Sequence, residues 1–222
     1  DQTYLLYAEK KPKVPVVIIG IYPEMLKRNL AASWIFYGNN KDKTLKPYFK
    51  AVDKNLKQYD LPQKKDVQIF KKYHEHDYFY KPYNLTFPYS LSTVYSLFKR
   101  YYQRYLDKYD PVSKNSQAII LQNSIMDNLR TEILDNGSKI AIVFYPTVAE
   151  VESGNFKYTN YLNIYKKQYP QDCIVDLGHV LHEAIKDVNF KLNAGSGHYS
   201  KQGNTVVATE IANQLKRCVY IH

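Results

Sequence analysis

The chain has 222 residues, among them 31 Lys+Arg, 21 Asp+Glu, two Cys, eight Gly and 23 Tyr. That is enough to bury a core without staples, and it limits the chain to one α/β domain with a long insertion or to two small domains. With 45% hydrophobic and 23% charged residues, disorder over most of the length is excluded, and no apolar run reaches the roughly 20 residues of a membrane-spanning helix.

Cys173 and Cys218 do not amount to a disulfide framework, and no CxxC or Cys/His spacing suits zinc, so the redox compartment stays open. The formal charge of +10 draws attention to acidic partners such as nucleic acid, a polyanionic glycan or a membrane surface. The basic residues, however, are spread through Lys10 to Lys13, Lys41 to Lys57, Lys64 to Lys72 and Lys99 to Lys108 and are broken by Tyr, Pro and acids. They form no known nucleic-acid motif, and no nucleic-acid partner is expected.

In chain order, the first helical pattern is Thr3 to Lys11, and the chain starts on Asp1 rather than Met with no signal or transit segment before that helix. Val14 to Gly20 follows, an apolar β-branched run with Pro15 near its start, which reads as a parallel strand buried on both faces. Such a strand needs neighbours on both sides, because a flat apolar strand at a sheet edge invites aggregation. Further strands upstream of Asp1 are therefore expected. Tyr22 to Leu30 reads as a short helix opened by Pro23, with Met25, Leu26 and Leu30 on its apolar positions.

Residues 34–114 break the alternation. They are rich in Tyr, Lys and Pro and read as a lid or cap inserted into a single domain spanning 1–222, with one helix predicted over Ser92 to Tyr109. Patterning resumes with a helix over Ser116 to Leu134, stopped by Asn136-Gly137, and a strand over Lys139 to Tyr145 that ends at Pro146-Thr147. A helix near Tyr158 to Gln168, a strand Cys173 to Asp176 and a short helix Val180 to Lys186 come next. A loop at Asn193 to Ser200 then leads to a last helix, Gln202 to Lys216, with Val206, Val207, Ile211, Ala212 and Leu215 facing inward. Three parallel strands alternating with helices place a site beyond their carboxyl ends, at Gly20 to Glu24, Pro146 to Ala149, Asp176 to His179 and the loop around His198.

His198 sits on a Gly-rich loop just before a helix whose N-cap is predicted at Ser200, and from spacing alone it reads equally as a general base at the rim of a sheet or as a cap-loop histidine that only packs. The sequence from His198 to Ile211, HYSKQGNTVVATEI, resembles the last block of the SGNH/GDSL hydrolases, where a histidine precedes a turn and the terminal helix. VPVVIIGIYPEMLKRN resembles that family's third strand and following turn, KIAIVFYPT its fourth strand, and CIVDLGHVLHEA its fifth with a short helix. The resemblance covers residues 1–33 and 116–217 in the family's order and leaves the insertion uncovered.

What the resemblance implies is a three-layer α/β/α flavodoxin-like parallel sheet, and ester hydrolysis or acyl transfer by a serine nucleophile with His198 as base and no cofactor or metal. The substrate implied is an acyl ester, acetyl and carbohydrate-borne in the narrower form, and the location implied is exported or at the cell envelope. Two family positions depart. The acid that stands three, sometimes two, residues before the histidine is Gly195 or Ser196 here, and no Gly-Asp-Ser block occurs, so the chain reads as a family member lacking its first two strands. The oxyanion block after the third strand reads Gly20-Ile21-Tyr22-Pro23-Glu24, with Arg28 and Asn29 nearby as weak candidate donors. The rival reading is a non-catalytic glycan- or protein-binding relative that uses the Tyr-rich basic insertion as its surface.

Other clusters read as structural. His74-Glu75-His76-Asp77 gives at best two nitrogen ligands on one face of a strand, and His179 and His182 read as surface histidines. Ser33, Ser153 and Ser200 lack the context of a nucleophile elbow.

Overall fold

The computed structural model describes residues 1–31, 45–52, 55–61, 90–91, 93–95, 97–98, 117–195 and 198–219. Two compact units result: Asp1–Gln2 with Leu26–Ile125, and Thr3–Met25 with Met126–His222. The elements are α1 (Gln2–Lys10), β1 (Val16–Ile21), α2 (Pro23–Arg28), β2 (Tyr48–Val52), β3 (Asn55–Tyr59), α3 (Gln117–Asp135), β4 (Lys139–Phe144), α4 (Val148–Ser153), α5 (Thr159–Gln168), β5 (Cys173–Asp176), α6 (Gly178–Ala184) and α7 (Lys201–Val219).

The second unit is mixed α/β, built on a three-stranded parallel sheet in the order β1-β4-β5. Its register pairs Ile18 with Ala141 and Ile142 with Ile174. The period-2 geometry of strands then sends Val143 and Val175 to one face and Phe144 to the other. On the first face Val143 and Val175 share a buried cluster with Leu177, Leu181 of α6 and Val207 of α7, with Val206 and Ile211 packed against it. On the opposite face Phe144 meets Tyr158 and Tyr161 at ring-centroid distances of 5.6 and 5.9 Å, which brings α5 against the sheet. Helices therefore flank the sheet on both sides, as the alternation of the sequence predicts. In α7 the predicted inward stripe holds at Val206, Val207, Ile211 and Leu215, whereas Ala212 is exposed.

β1 departs from its expected burial on both faces. Ile19 and Ile21 are buried, but Ile18, on the α7 side, is 49% exposed. The cause is coverage: α7 packs over β5 and β4, and among the described residues the free edge of β1 pairs with no strand. Two local elements escaped the sequence reading. α4 is opened by a capping box in which Glu150 N–H donates to Thr147 Oγ1 (3.2 Å) and Thr147 N–H to Glu150 Oε2 (2.8 Å). Cys173 and Cys218, left unassigned by their spacing, form a disulfide that joins the start of β5 to the last turns of α7.

At the amino end of β5, Asp127 of α3 accepts a hydrogen bond from the Tyr169 hydroxyl. Burial, opposed by the nearby Arg130, holds its carboxyl above the usual carboxylate range. The native state therefore binds this proton more tightly than the unfolded chain. Between the ordinary aspartate value and the raised one it carries more protons, and its contribution to stability is lost as pH rises through that window. Asp127→Asn is expected to flatten this slope and to raise stability at pH 7, read from urea midpoints between pH 3.5 and 7. A variant whose midpoint tracks the parent at every pH removes Asp127 as the source.

The first unit contains the antiparallel hairpin β2–β3, in register Tyr48↔Tyr59, within the stretch read as an insertion. The Tyr48 and Tyr59 rings stack at 4.8 Å. Lys46 is buried, pairs with the Asp1 carboxylate and donates to the Arg28 carbonyl at 2.6 Å. Of the helix predicted over 92–109, residues 93–95 and 97–98 are helical and the rest lies outside the described residues.

Candidate functional site

The carboxyl ends of the strands in the second unit gather Tyr22 after β1, Tyr145, Pro146 and Thr147 after β4, and Asp176 at the end of β5. The loop 193–200 reaches the same end, because the Tyr199 hydroxyl donates to the Pro146 carbonyl. An antiparallel bridge between Asn193 and Tyr199 closes that loop. Ala194 N–H donates to the His198 carbonyl at 2.9 Å, and His198 N–H to the Gly195 carbonyl at 3.2 Å. As predicted, Ser200 caps α7, accepting from Gly203 N–H at 3.1 Å.

His198 itself is exposed, and its imidazole makes no hydrogen bond with the described residues. Gly195, three residues before it, has φ of 99°, a conformation that strains any L side chain. The loop thus suits glycine at the position where the resemblance expects a carboxylate. Asp176, the acid that ends β5, is engaged elsewhere. Its Oδ1 accepts from the Tyr158 hydroxyl at 2.7 Å and from Gly178 N–H at 3.0 Å. Burial first, and the bond to Asp176 second, push the Tyr158 hydroxyl far up, so it stays a neutral donor.

The remaining candidates divide by environment. Arg28 and Asn29 belong to the first unit. Arg28 is exposed. Asn29 is 6% exposed, with its amide donating to Gln122 Oε1 at 2.5 Å. The sequence places this pair on a helix surface, but Asn29 follows the last residue of α2 and is committed to the interior of its unit. His179 is exposed and meets Phe156 edge-on at 5.4 Å. His182, read as a surface histidine, is half-buried, and its Nδ1 lies 2.7 Å from the Val151 carbonyl. That partner assigns the proton to Nδ1 and ties α6 to α4.

Ser153 donates to the Glu150 carbonyl at 3.3 Å and Ser200 to the Lys191 carbonyl, both structural. Ser33 and the stretch His74 to Asp77 lie outside the described residues. Among the described residues no three His, Cys, Asp or Glu side chains converge as metal ligands, and no helix is long and apolar enough to cross a membrane.

Sequence reading missed three tyrosines. The Tyr22 and Tyr145 rings stack at 4.7 Å and 15°. Burial raises the hydroxyl pKa values of Tyr22, Tyr145 and Tyr199, with Tyr145 adding to the rise at Tyr22, and Tyr22, Glu150 and Tyr145 adding to it at Tyr199. The signal was present, since Tyr22 and Tyr145 directly follow strand residues and Tyr199 follows the singled-out histidine. No known protein family, curated protein or solved structure matches the chain.

Proposed function

We propose that the chain is the carboxyl-terminal part of an SGNH-type esterase or O-acyltransferase, on a flavodoxin-like α/β/α sheet, with His198 as general base and an acyl ester as substrate. In the narrower form the acyl group is acetyl and its carrier a carbohydrate. The observation that supports this most is the state of β1. Its outer edge is unpaired among the described residues and Ile18 beside it is half in water, as expected of an inner strand whose neighbours are supplied by a preceding segment. In this reading the nucleophile is a serine at the end of such a neighbouring strand, one open-edge step from β1. The Cys173–Cys218 bond suits an oxidising compartment and so an exported protein.

The rival, a glycan- or protein-binding relative without catalysis, draws on a specific feature: no described carboxylate meets the His198 ring, and Gly195 occupies the acid's place. The test is hydrolysis of p-nitrophenyl acetate by the 222-residue chain and by the natural polypeptide, whose intact mass and N-terminal sequence are read alongside. The 222-residue chain is expected to be inactive. A natural polypeptide carrying a strand that ends in Gly-Asp-Ser is expected to be active and to lose about 10⁴-fold or more in kcat on His198→Ala. Hydrolysis by the 222-residue chain that His198→Ala abolishes would overturn the upstream serine. A natural polypeptide that is inactive and has no such strand hands the function to the binding reading.

A further inference from the structure

The geometry points to a sugar-binding platform made by Tyr22 and Tyr145 at the carboxyl end of β1 and β4. The location rests on the reading above, which places the substrate at this end of the sheet. The platform itself rests on separate observations.

The first is construction. Period-2 geometry puts Gly20, Tyr22, Val143 and Tyr145 on the same face of the sheet, and Tyr145 lies down over Gly20. A Cβ at Gly20 would stand 3.0 Å from Tyr145 Cε2, so any larger residue there would push the ring aside by a few tenths of an ångström. Tyr22 then stacks nearly parallel on Tyr145, at 4.7 Å.

The second is exposure with polar ends. Tyr22 is 40% exposed and Tyr145 half-buried. Neither hydroxyl bonds to any described residue, whereas Tyr158, Tyr165, Tyr169 and Tyr199 all donate to protein oxygens. Rings that served only to pack would be covered, and hydroxyls kept for structure would be spent. An exposed aromatic surface edged by unspent O–H groups fits a ligand with an apolar C–H face and a rim of hydroxyls, which is a pyranose ring. The third is continuity with His198: Tyr199, its chain neighbour, donates to the carbonyl of Pro146, the residue after Tyr145. A sugar seated on the pair therefore lies at the mouth of the loop that carries the proposed base.

The experiment is calorimetric titration of the chain with three neutral β-1,4-linked hexasaccharides, of glucose, xylose and N-acetylglucosamine. Neutral probes are needed because a chain of charge +10 would hold any polyanion by charge alone. At least one is expected to bind saturably. Tyr22→Ala is expected to weaken it about tenfold, and Tyr22→Trp to preserve it. Tyr22→Leu, which keeps apolar volume but removes the ring, repeats the loss if Tyr22→Ala disturbs the fold. Saturable binding by none of the three, binding untouched by Tyr22→Ala and Tyr22→Leu, or Tyr22-dependent binding of p-nitrophenol with no sugar bound would overturn the platform, the last assigning the rings to an aryl group. Because the readout is binding without turnover, the platform survives if the chain belongs to no esterase. It falls alone if esterase activity is found and no sugar binds.

Discussion

Cys218→Ser lowers the stability of the second unit by about 4 kcal/mol at 25 °C. The bond from Cys173 to Cys218 closes a ring spanning 45 positions, and the chain-entropy relation gives about 4 kcal/mol for a loop of that length. Against the roughly 5–15 kcal/mol of a typical domain this is a large fraction. Serine at the exposed end is the cleaner substitution, because Cys173 is buried beside Ala141 with Val16 and Leu215 packed against them, where a hydroxyl would be stranded. The ring contains α6, the 193–200 loop and most of α7, so it tethers His198 and Tyr199 at both ends. Urea denaturation checks the effect. Dithiothreitol should bring the parent to the midpoint of Cys218→Ser and leave that variant unmoved. Equal midpoints for parent and variant without reductant would show that the two thiols are not joined in solution.

The sheet was the most legible part of this chain. VPVVIIG, KIAIVFY and CIVD became β1, β4 and β5 with little shift in bounds, because a β-branched apolar run has few other ways to be buried. What such a run does not state is how much cover its neighbours provide. Val16 to Ile21 reads like an inner strand, and whether Ile18 is buried depends on the reach of α7, a tertiary fact. α4 was legible in principle, since Thr147 and Glu150 stand at capping-box spacing, but a six-residue helix carries too little periodicity to be seen otherwise.

The candidate site divides in the same way. The position of His198 on the last loop follows from strand order, and so did its expected place at the carboxyl end of the sheet. The surroundings did not follow. Cys173 and Cys218 are far apart in sequence, and two cysteines give no count-based reason to pair them. Tyr22, Tyr145 and Tyr199 were three among 23 tyrosines, and only the register of β1 on β4 shows that two of them share a face. Asn29 shows the opposite error: one turn of helix gives no hint that its amide will be drawn into the interior by Gln122.

Arg130→Ala is expected to cost about 3–5 kcal/mol, the range seen when one member of a buried ion pair is removed. Arg130 holds Asp172 in a two-pronged contact, Nε to Oδ2 at 2.9 Å and Nη2 to Oδ1 at 3.0 Å. The Asp172 side chain is only 2% exposed, and Tyr165 donates to its Oδ2 at 2.9 Å. The guanidinium also lies 4.6 Å from the centre of the Tyr169 ring. Alanine would leave the carboxylate buried with one neutral donor, and the penalty is that stranded charge rather than the worth of the pair. Two further variants separate the terms. Arg130→Lys keeps the charge but loses the fork and the stacking, and should lie between parent and alanine. The double change Arg130→Met with Asp172→Leu removes both charges and should recover most of the loss, as apolar replacements of buried pairs do. Urea midpoints of the four proteins measure this, and a double variant as unstable as Arg130→Ala would place the cost in packing instead. Asp172 immediately precedes β5, at the amino end of the strand, whereas Tyr22 and Tyr145 follow the carboxyl ends of β1 and β4. The Arg130 variants, at a temperature where they remain folded, should therefore bind a neutral hexasaccharide as the parent does, while Tyr22→Ala should bind it about tenfold more weakly and keep its midpoint.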